Sequence, residues 1–332
     1  MDLEMLKLRA VTIQRVRDFF IKKGFLELDT PALSTTLIPE SCIEIFKTEY
    51  IEPWSGISRQ LYLVPSPEIY MKRVIAQHKA DVFQISKCYR NIESMGRIHN
   101  PEFTMLEYYT MDADYKISAK LTEELIKYIL PPIKSGKDNW SFIRPPFDYL
   151  TMDEAFEKFA GFKLSDAQEQ ADLVYHARNM GIAEPADNPF ENRSWKDLFE
   201  LIFVQCVEQK LSEGKATVIM NYPVQVPCLA KDIPAEQGGK VLWKERWELY
   251  ANGMEIANCY TEETSPEKVR LFFENESKIK ARHAKVKHMV DAGYWKIFKN
   301  FPECSGVAMG MDRLIALISG HKAISPVLPF ML

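Results

Sequence analysis

The chain has 332 residues, 46% of them hydrophobic and 27% charged, with a formal charge of -4 at neutral pH. That length allows one large domain or two ordinary ones with a substantial core, and the composition excludes a disordered or low-complexity protein. The acidic balance argues against a nucleic-acid binder, and no apolar run approaches membrane-spanning length, so a cytosolic protein with no membrane partner is expected.

Leu3 to Lys23 mixes acids and bases on an amphipathic helix rather than forming a charged-then-apolar signal, and Gly24 stops it. A short strand at Phe25 to Leu28 follows, and Thr30-Pro31 forces an extended exit. Strands are predicted over Ile43 to Tyr50 and Gln60 to Val64. Ser66-Pro67-Glu68 then opens a helix, with Ser66 as N-cap, Pro67 at the first position and Glu68 in the first turn. Asp81 to Arg90 is predicted as a strand, joined by the loop Asn91 to His99 to a second strand, so that the two form a long hairpin.

That second strand lies in HNPEFTMLEYY, His99 to Tyr109. Alternation puts Phe103, Met105, Glu107 and Tyr109 on one face and Thr104, Leu106 and Tyr108 on the other. Its acids, Glu102 and Glu107, either reach solvent at a sheet edge or belong to a site. From Tyr115 to about Leu211 the pattern is mostly helical, broken by proline-rich stretches, and predicts a helical insertion. Strands return at Ala216 to Tyr222, Lys244 to Ala251 and Met254 to Tyr260. A long helix is predicted from Pro266 to about Ala292, and Ser305 to Ile318 closes the chain as a strand and helix. The expected fold is α+β, an antiparallel sheet flanked by helices in a single domain over residues 1–332.

Six cysteines (Cys42, Cys88, Cys206, Cys228, Cys259, Cys304) lie far apart with no C-x-x-C pair, which argues against disulfides and structural zinc. Lys278, Lys280, Arg282, His283, Lys285, Lys287 and His288 crowd the end of the predicted long helix. They form either a solvated face favourable to the helix dipole or a docking patch for an acidic partner.

Asn252-Gly253 reads as a two-residue turn, which sets Tyr250 opposite Glu255 and makes Glu248 and Glu255 diagonal neighbours. Two carboxylates that close repel each other unless a cation joins them, and hard oxygen ligands suit Mg²⁺ held between protein and phosphates. The plain alternative is a solvent-facing pair. In the closing segment the small-residue strand GVAMG runs into a helix beginning near Met311, with Arg313 in its first turn. A cation there opposes the helix dipole, which makes sense if Arg313 and the helix N-terminus both face a polyphosphate that Arg90 can also meet.

Pro31 after a long helix, CYRNIESMGRIHNPEFTMLEYY and SGVAMGMDRL resemble, in order and spacing, the three signature motifs of class II aminoacyl-tRNA synthetases. HNPEFTMLE, SPEIYMKR and MEIANCYTE are similar to the lysine branch of that family. Lysyl-tRNA synthetases carry an N-terminal OB-fold that reads the anticodon, whereas this chain enters the first-motif helix by its third residue. The resemblance therefore narrows to the truncated paralogues that activate (R)-β-lysine with ATP and pass it to a lysine side chain of elongation factor P. It implies an ATP-dependent, AMP-forming ligase using Mg²⁺, with no tRNA partner. It also implies a homodimer formed through the first motif, with contact area from Leu6, Val16 and Phe20.

Residue by residue, the resemblance implies two catalytic arginines: Arg90 on the α-phosphate, and Arg313 with His99 on the outer phosphates. Phe103 would stack on adenine, while Asn91, Asn100, Glu248, Leu249 and Gly310 complete the nucleotide site and Glu248 and Glu255 hold Mg²⁺. Where the family reads Arg-Asn-Glu this chain has Arg90-Asn91-Ile92, and Glu93 is expected to reach the adenine amine through a shifted loop. The implied substrate pocket comprises Ser66, Pro67, Glu68, Glu107, Tyr109, Glu255, Asn258, Glu262 and Ala308. Glu68 and Glu107 would face the amino group nearer the carboxylate, and Glu262 with Tyr109 the distal ammonium. Ala308 stands where lysyl-tRNA synthetases generally have glycine, and its methyl group is expected to crowd α-lysine and tolerate β-lysine. Two other functions are weighed: a non-catalytic, amino-acid-sensing paralogue, and asparagine-synthetase-like amidation. The presence of Arg90, Glu248, Glu255 and Arg313 together opposes the first, and the lack of a basic residue marking an aspartate pocket opposes the second.

Overall fold

A computed structural model of the chain describes residues 2–92, 94–130, 140, 142–212, 214–235 and 238–331. Helix α1 (Leu3–Lys22) is capped by Asp2, whose side chain accepts from the Glu4 amide. It ends before Gly24, whose φ of +85° reverses the chain as only glycine does readily. Strand β1 (Leu26–Glu27) follows, and β2 (Leu33–Ser34), β3 (Lys47–Ile51) and β4 (Ser58–Leu63) form a small sheet of order β2-β4-β3. After α2 (Glu68–His78) come the hairpin strands β5 (Val82–Tyr89) and β6 (Glu102–Met111), then α3 (Tyr115–Ile129), β7 (Asp148–Thr151), α4 (Met152–Ala160), α5 (Gln170–Asn179) and α6 (Trp195–Ile202). The remainder is β8 (Thr217–Pro223), β9 (Trp243–Ala251), β10 (Met254–Thr261), α7 (Pro266–His283), a 3₁₀ helix (Tyr294–Asn300), β11 (Cys304–Gly310) and α8 (Met311–Ile318).

Eight strands form one sheet in the order β1-β5-β6-β11-β10-β9-β8-β7, antiparallel except for the parallel pairs at its two ends. The fold is α+β, as expected. Strand parity gives this sheet two unlike faces. Leu106, Met309, Ala257 and Leu249 lie side by side in register, as do Tyr108, Val307, Cys259 and Trp247, and all of them are buried in the core against α1, α3 and α8. Burial of a ring such as Phe20 or Phe83 contributes ~2–3 kcal/mol relative to exposure. The opposite face carries a different pair of rows: Gln84, Glu107, Ala308, Asn258 and Glu248 in one, and Val82, Tyr109, Gly306, Tyr260 and Arg246 in the next. Strand β6 is interior to the sheet, so Glu107 is not an edge residue.

The structure departs from the sequence reading in several places. The N-cap of α2 is Pro67 rather than Ser66, although the Ser66 hydroxyl still accepts from the Glu68 amide at 3.0 Å. The span 115–211 is not one insertion: α3 packs under the sheet, residues 148–151 are its edge strand β7, and a separate apolar cluster begins at Met152. Helix α7 stops at His283, nine residues before the predicted Ala292, because Ala284 turns extended (ψ 131°). The Lys285 and Val286 amides then donate to the Glu44 carboxylate. Lys280, read as part of a surface run, is buried and donates to the carbonyls of Glu40 and Ile43. Val16 and Phe20, expected at an interface, are fully enclosed in the chain's own core, because the sheet needs an apolar cover on that side. Among the described residues no helix is long and apolar enough to cross a membrane.

Candidate active site

Two adjoining cavities open on the polar face of the sheet. They share Arg90, Met105, Asn258 and Ala308, and the larger, of about 240 Å³, lies toward α8 while the smaller, of about 100 Å³, lies toward α2. Ala308 and Gly306, the small residues of β11, form the floor between the taller side chains of β6 and β10. A Cβ on Gly306 would stand 2.5 Å from the Tyr109 ring and 2.6 Å from a Glu262 oxygen, so this position must be glycine.

The smaller cavity is acidic. Glu68, Glu107 and Glu262 line it together with Ser66 and Tyr109. Glu107, on β6, is buried and accepts from the Ser66 hydroxyl and from the Tyr109 hydroxyl, both at 2.7 Å. Burial, and then the charge of Glu68, push the Glu107 carboxyl up to about 8. Lys72, one helical turn after Glu68 and 1% exposed, donates to Glu68 at 2.5 Å and to Glu262 at 2.7 Å. Burial works against the Lys72 ammonium, but Glu262 and Glu68 outweigh it and hold the lysine charged. The carboxylate expected to await a distal ammonium is therefore already paired inside the protein. Burial still pushes Glu262 up to about 7, with Lys72 opposing.

The larger cavity gathers Arg90, His99, Asn100, Phe103, Glu255, Gly310 and Arg313. The Arg90 guanidinium lies over the Phe103 ring at 5.1 Å. Arg313 ties the motif loop to the hairpin: its Nε donates to Ile98 O at 3.2 Å and its Nη1 to Glu255 O at 2.8 Å, with the Glu255 carboxylate 3.7 Å away. The polar atoms Arg90 Nε, Asn100 Oδ1 and Asn258 Oδ1 are buried with no hydrogen-bond partner among the described residues. Such atoms are costly unless a ligand satisfies them.

The Asn252-Gly253 turn sets Glu255 opposite Tyr250 as predicted, but a bulge between Glu255 and Ala257 puts Asn258, not a diagonal residue, directly opposite Glu248. Glu248 accepts from Arg246 Nη2 at 2.5 Å and from the Tyr250 hydroxyl at 2.6 Å. Arg246 is itself held over the Tyr222 ring at 4.3 Å and the Tyr260 ring at 5.4 Å. Burial, and then the Glu248 charge, push Glu255 up to about 7, with Arg313, Arg246 and Arg90 opposing. Among the described residues no group of three or more His, Cys, Asp or Glu side chains is placed to hold a metal ion. The described residues thus offer this carboxylate pair, a donor set that fits a Mg²⁺ ion completed by phosphate oxygens and water.

Several expected site residues are not brought to a cavity wall. Glu248 lines neither cavity and is held behind the wall by Arg246 and Tyr250, the Leu249 side chain points into the core by strand parity, and Pro67 caps α2. Asn91 is occupied with the neighbouring loop: its amide NH₂ donates to Ile45 O, its backbone N–H to Glu44 O, and its side-chain oxygen accepts from Ile92 N. Glu255 lines the larger cavity rather than the acidic one. Ile92 has a φ of +56°, unusual for a β-branched residue, and Glu93 lies outside the described residues. Lys72, Glu40, Met105, Tyr260 and Gly306 are among the residues that sequence reasoning missed. Lys72 carried a signal, its i,i+4 spacing from Glu68.

A family model described as tRNA synthetases class II (D, K and N) matches residues 2–331. The chain belongs to this family and is an ATP-dependent ligase. Within it, the chain is 32% identical over 318 residues to the "Elongation factor P--(R)-beta-lysine ligase" of Photobacterium profundum, covering 95% of this chain and 92% of that one. It is 33% identical over 312 residues to the "Elongation factor P--(R)-beta-lysine ligase homolog" of Aquifex aeolicus, covering 94% of each. Against the ligase of the same name in Proteus mirabilis the identity is 32% over 323 residues, covering 97% and 93%.

Proposed function

We propose that the protein activates (R)-β-lysine with ATP to an aminoacyl-adenylate and transfers the β-lysyl group to a lysine side chain of elongation factor P. The observation that carries this reading is the junction of an acidic cavity with a larger one at Arg90, Met105, Asn258 and Ala308. A substrate with two ammonium groups suits the acidic cavity, and its carboxylate would reach the seam where Arg90 is common to both. There a carboxylate oxygen attacks the α-phosphorus of ATP and pyrophosphate leaves. The acceptor amine then attacks the acyl carbon, AMP leaves and the amine loses its proton. Arg90 would stabilise the charge developing on the α-phosphate, with its unpartnered Nε as a donor in reserve, and Arg313 and His99 would hold the outer phosphates. Mg²⁺ held at Glu248 and Glu255 would neutralise phosphate charge. Phe103 and Asn100 would serve the adenosine end.

The names of the relatives support the substrate and acceptor, and the absence of a basic excess supports a protein rather than tRNA as acceptor. We further propose a homodimer, now through the outer face of α1 and its continuation, where Leu3, Val11, Ile21, Leu26 and Leu33 are exposed. Pyrophosphate exchange with (R)-β-lysine, α-lysine and aspartate tests the assignment, followed by incubation with elongation factor P and with tRNA. Exchange dependent on a diamino acid and label on the protein are expected. No exchange with any of the three would favour a sensing role, and efficient charging of tRNA would contradict the acceptor.

A further inference from the structure

Every carboxylate of the acidic cavity except one has a partner within the protein. Glu68 and Glu262 share Lys72, and Glu107 takes two hydroxyls. The exception is Glu40, which lines the same cavity from the irregular segment between β2 and β3 and whose carboxylate accepts no hydrogen bond and forms no ion pair among the described residues. Its backbone, by contrast, is held firmly. The Ile43 amide donates to Glu40 O at 3.3 Å, closing a turn. From α7, Lys280 donates to the Glu40 and Ile43 carbonyls, while Glu276 accepts from the Ser41 amide at 2.8 Å. A clamped backbone with an unpaired carboxylate at a cavity wall is the arrangement that a pre-organised cation receptor requires.

We infer that Glu40 is a specificity-determining residue whose carboxylate receives the substrate ammonium nearest the substrate's own carboxylate. The position follows from its neighbours. The segment that carries Glu40 is stitched to the residue after Arg90, where the Asn91 backbone and side-chain N–H groups donate to Glu44 O and Ile45 O, so Glu40 enters the cavity from the Arg90 side. Burial, and then the Glu68 charge, push its carboxyl up to about 7, which an incoming ammonium would relieve. The inference rests on the proposed activation of a diamino acid and adds a recognition group to it.

The test compares (R)-β-lysine with ε-aminocaproate, which keeps the distal amino group and lacks the proximal one. In Glu40→Gln, kcat/KM for (R)-β-lysine in pyrophosphate exchange should fall about thirtyfold or more. The inhibition constant of ε-aminocaproate should stay within about twofold of wild type, since that ligand has no ammonium for Glu40 to lose. Glu40→Asp, which keeps the charge, should recover part of the loss. Equal losses for both ligands, or a fall in melting temperature with a matching rise in the KM for ATP, would make Glu40 a structural residue and overturn the inference. Normal exchange in wild type with an unchanged Glu40→Gln would overturn it alone. A wild type that activates no diamino acid would overturn it together with the proposed function.

Discussion

The two cavities are built on one sheet face, yet their polar groups are satisfied in opposite ways. At the acidic end the buried charges are paired internally: Lys72 lies between Glu68 and Glu262, and Ser66 and Tyr109 hold Glu107. At the larger end and along the seam, Arg90 Nε, Asn100 Oδ1 and Asn258 Oδ1 have no partner among the described residues. A fully buried carboxylate is too costly to leave unpaired, so the acidic end is assembled before any ligand arrives, apart from the half-buried Glu40. Neutral amides and one face of a guanidinium cost less to leave open, and a polar ligand can complete them. The contrast teaches that the acidic residues serve stability as well as recognition, whereas Arg90 Nε, Asn100 Oδ1 and Asn258 Oδ1 are left for a ligand to complete.

The largest expected effect would come from breaking the internal pairing. Lys72→Met leaves Glu68 and Glu262 without their cation and should destabilise the fold by ~3–5 kcal/mol in urea denaturation. Adding Glu262→Gln should restore a good part of that, because the second change removes the uncompensated charge. A loss under ~1 kcal/mol for the single variant would erase the contrast between the cavities.

Next comes the expected metal pair, Glu255 at the wall of the larger cavity and Glu248 behind it, where activity should respond more than stability. Glu248→Gln or Glu255→Gln should each lower pyrophosphate exchange about a hundredfold or more. Glu255→Gln, at a partly open side chain, should melt close to wild type, whereas Glu248→Gln also disturbs the contacts with Arg246 and Tyr250. Near-normal exchange in either variant would reduce the pair to a structural feature.

A smaller effect is expected at the seam itself. Ala308 lies in register between Glu107 and Asn258 and touches both cavities. Ala308→Gly should raise kcat/KM for α-lysine relative to (R)-β-lysine by about ten- to two-hundredfold, the range of a methyl-sized steric difference. Equal changes for the two isomers would remove the role given to this methyl.

The smallest effect is on pH dependence. Because Glu107 is raised to about 8 from an ordinary value of 4.5, the native state holds this proton more tightly than the unfolded chain. Its contribution to stability is therefore present below the ordinary carboxylate range and lost as pH rises through about 8. A diammonium ligand favours the ionised form, so binding near neutral pH should release protons and flatten this loss. Calorimetry in buffers of different ionisation enthalpy would measure the release, and Glu107→Gln should reduce it. Uptake of protons on binding would contradict the charge assignment.

Much of this site was legible in the sequence because local rules governed it. The alternation from Phe103 to Tyr109 and the Asn252-Gly253 turn set which side chains share a face. The strand-to-helix junction at Gly310 and Met311 was readable from its small residues and the apolar run that follows. Other features escaped for equally physical reasons. Residues 284–292 mix polar and apolar side chains and contain no proline or glycine, so nothing local revealed that the Glu44 carboxylate would capture the Lys285 and Val286 amides and end α7 early. Strand β7, four residues after a proline-rich stretch, is specified by its pairing with β8 rather than by its own pattern.

Composition and periodicity by themselves determined an α+β chain built mainly on antiparallel strands, but not its second, three-stranded sheet or the parallel pairs at the ends of the first. The quoted motifs determined its family resemblance and most of the predicted residues found at the two cavities. Only the tertiary structure decided how those residues are satisfied. Lys72 and Glu262 are 190 residues apart, and Glu40 meets Lys280 across 240. Periodicity reports which face a side chain takes, and that is a local property of the backbone. Which charge lies opposite is set by the packing of elements distant in the chain, and in a buried site that pairing decides whether a carboxylate is a support or a receptor.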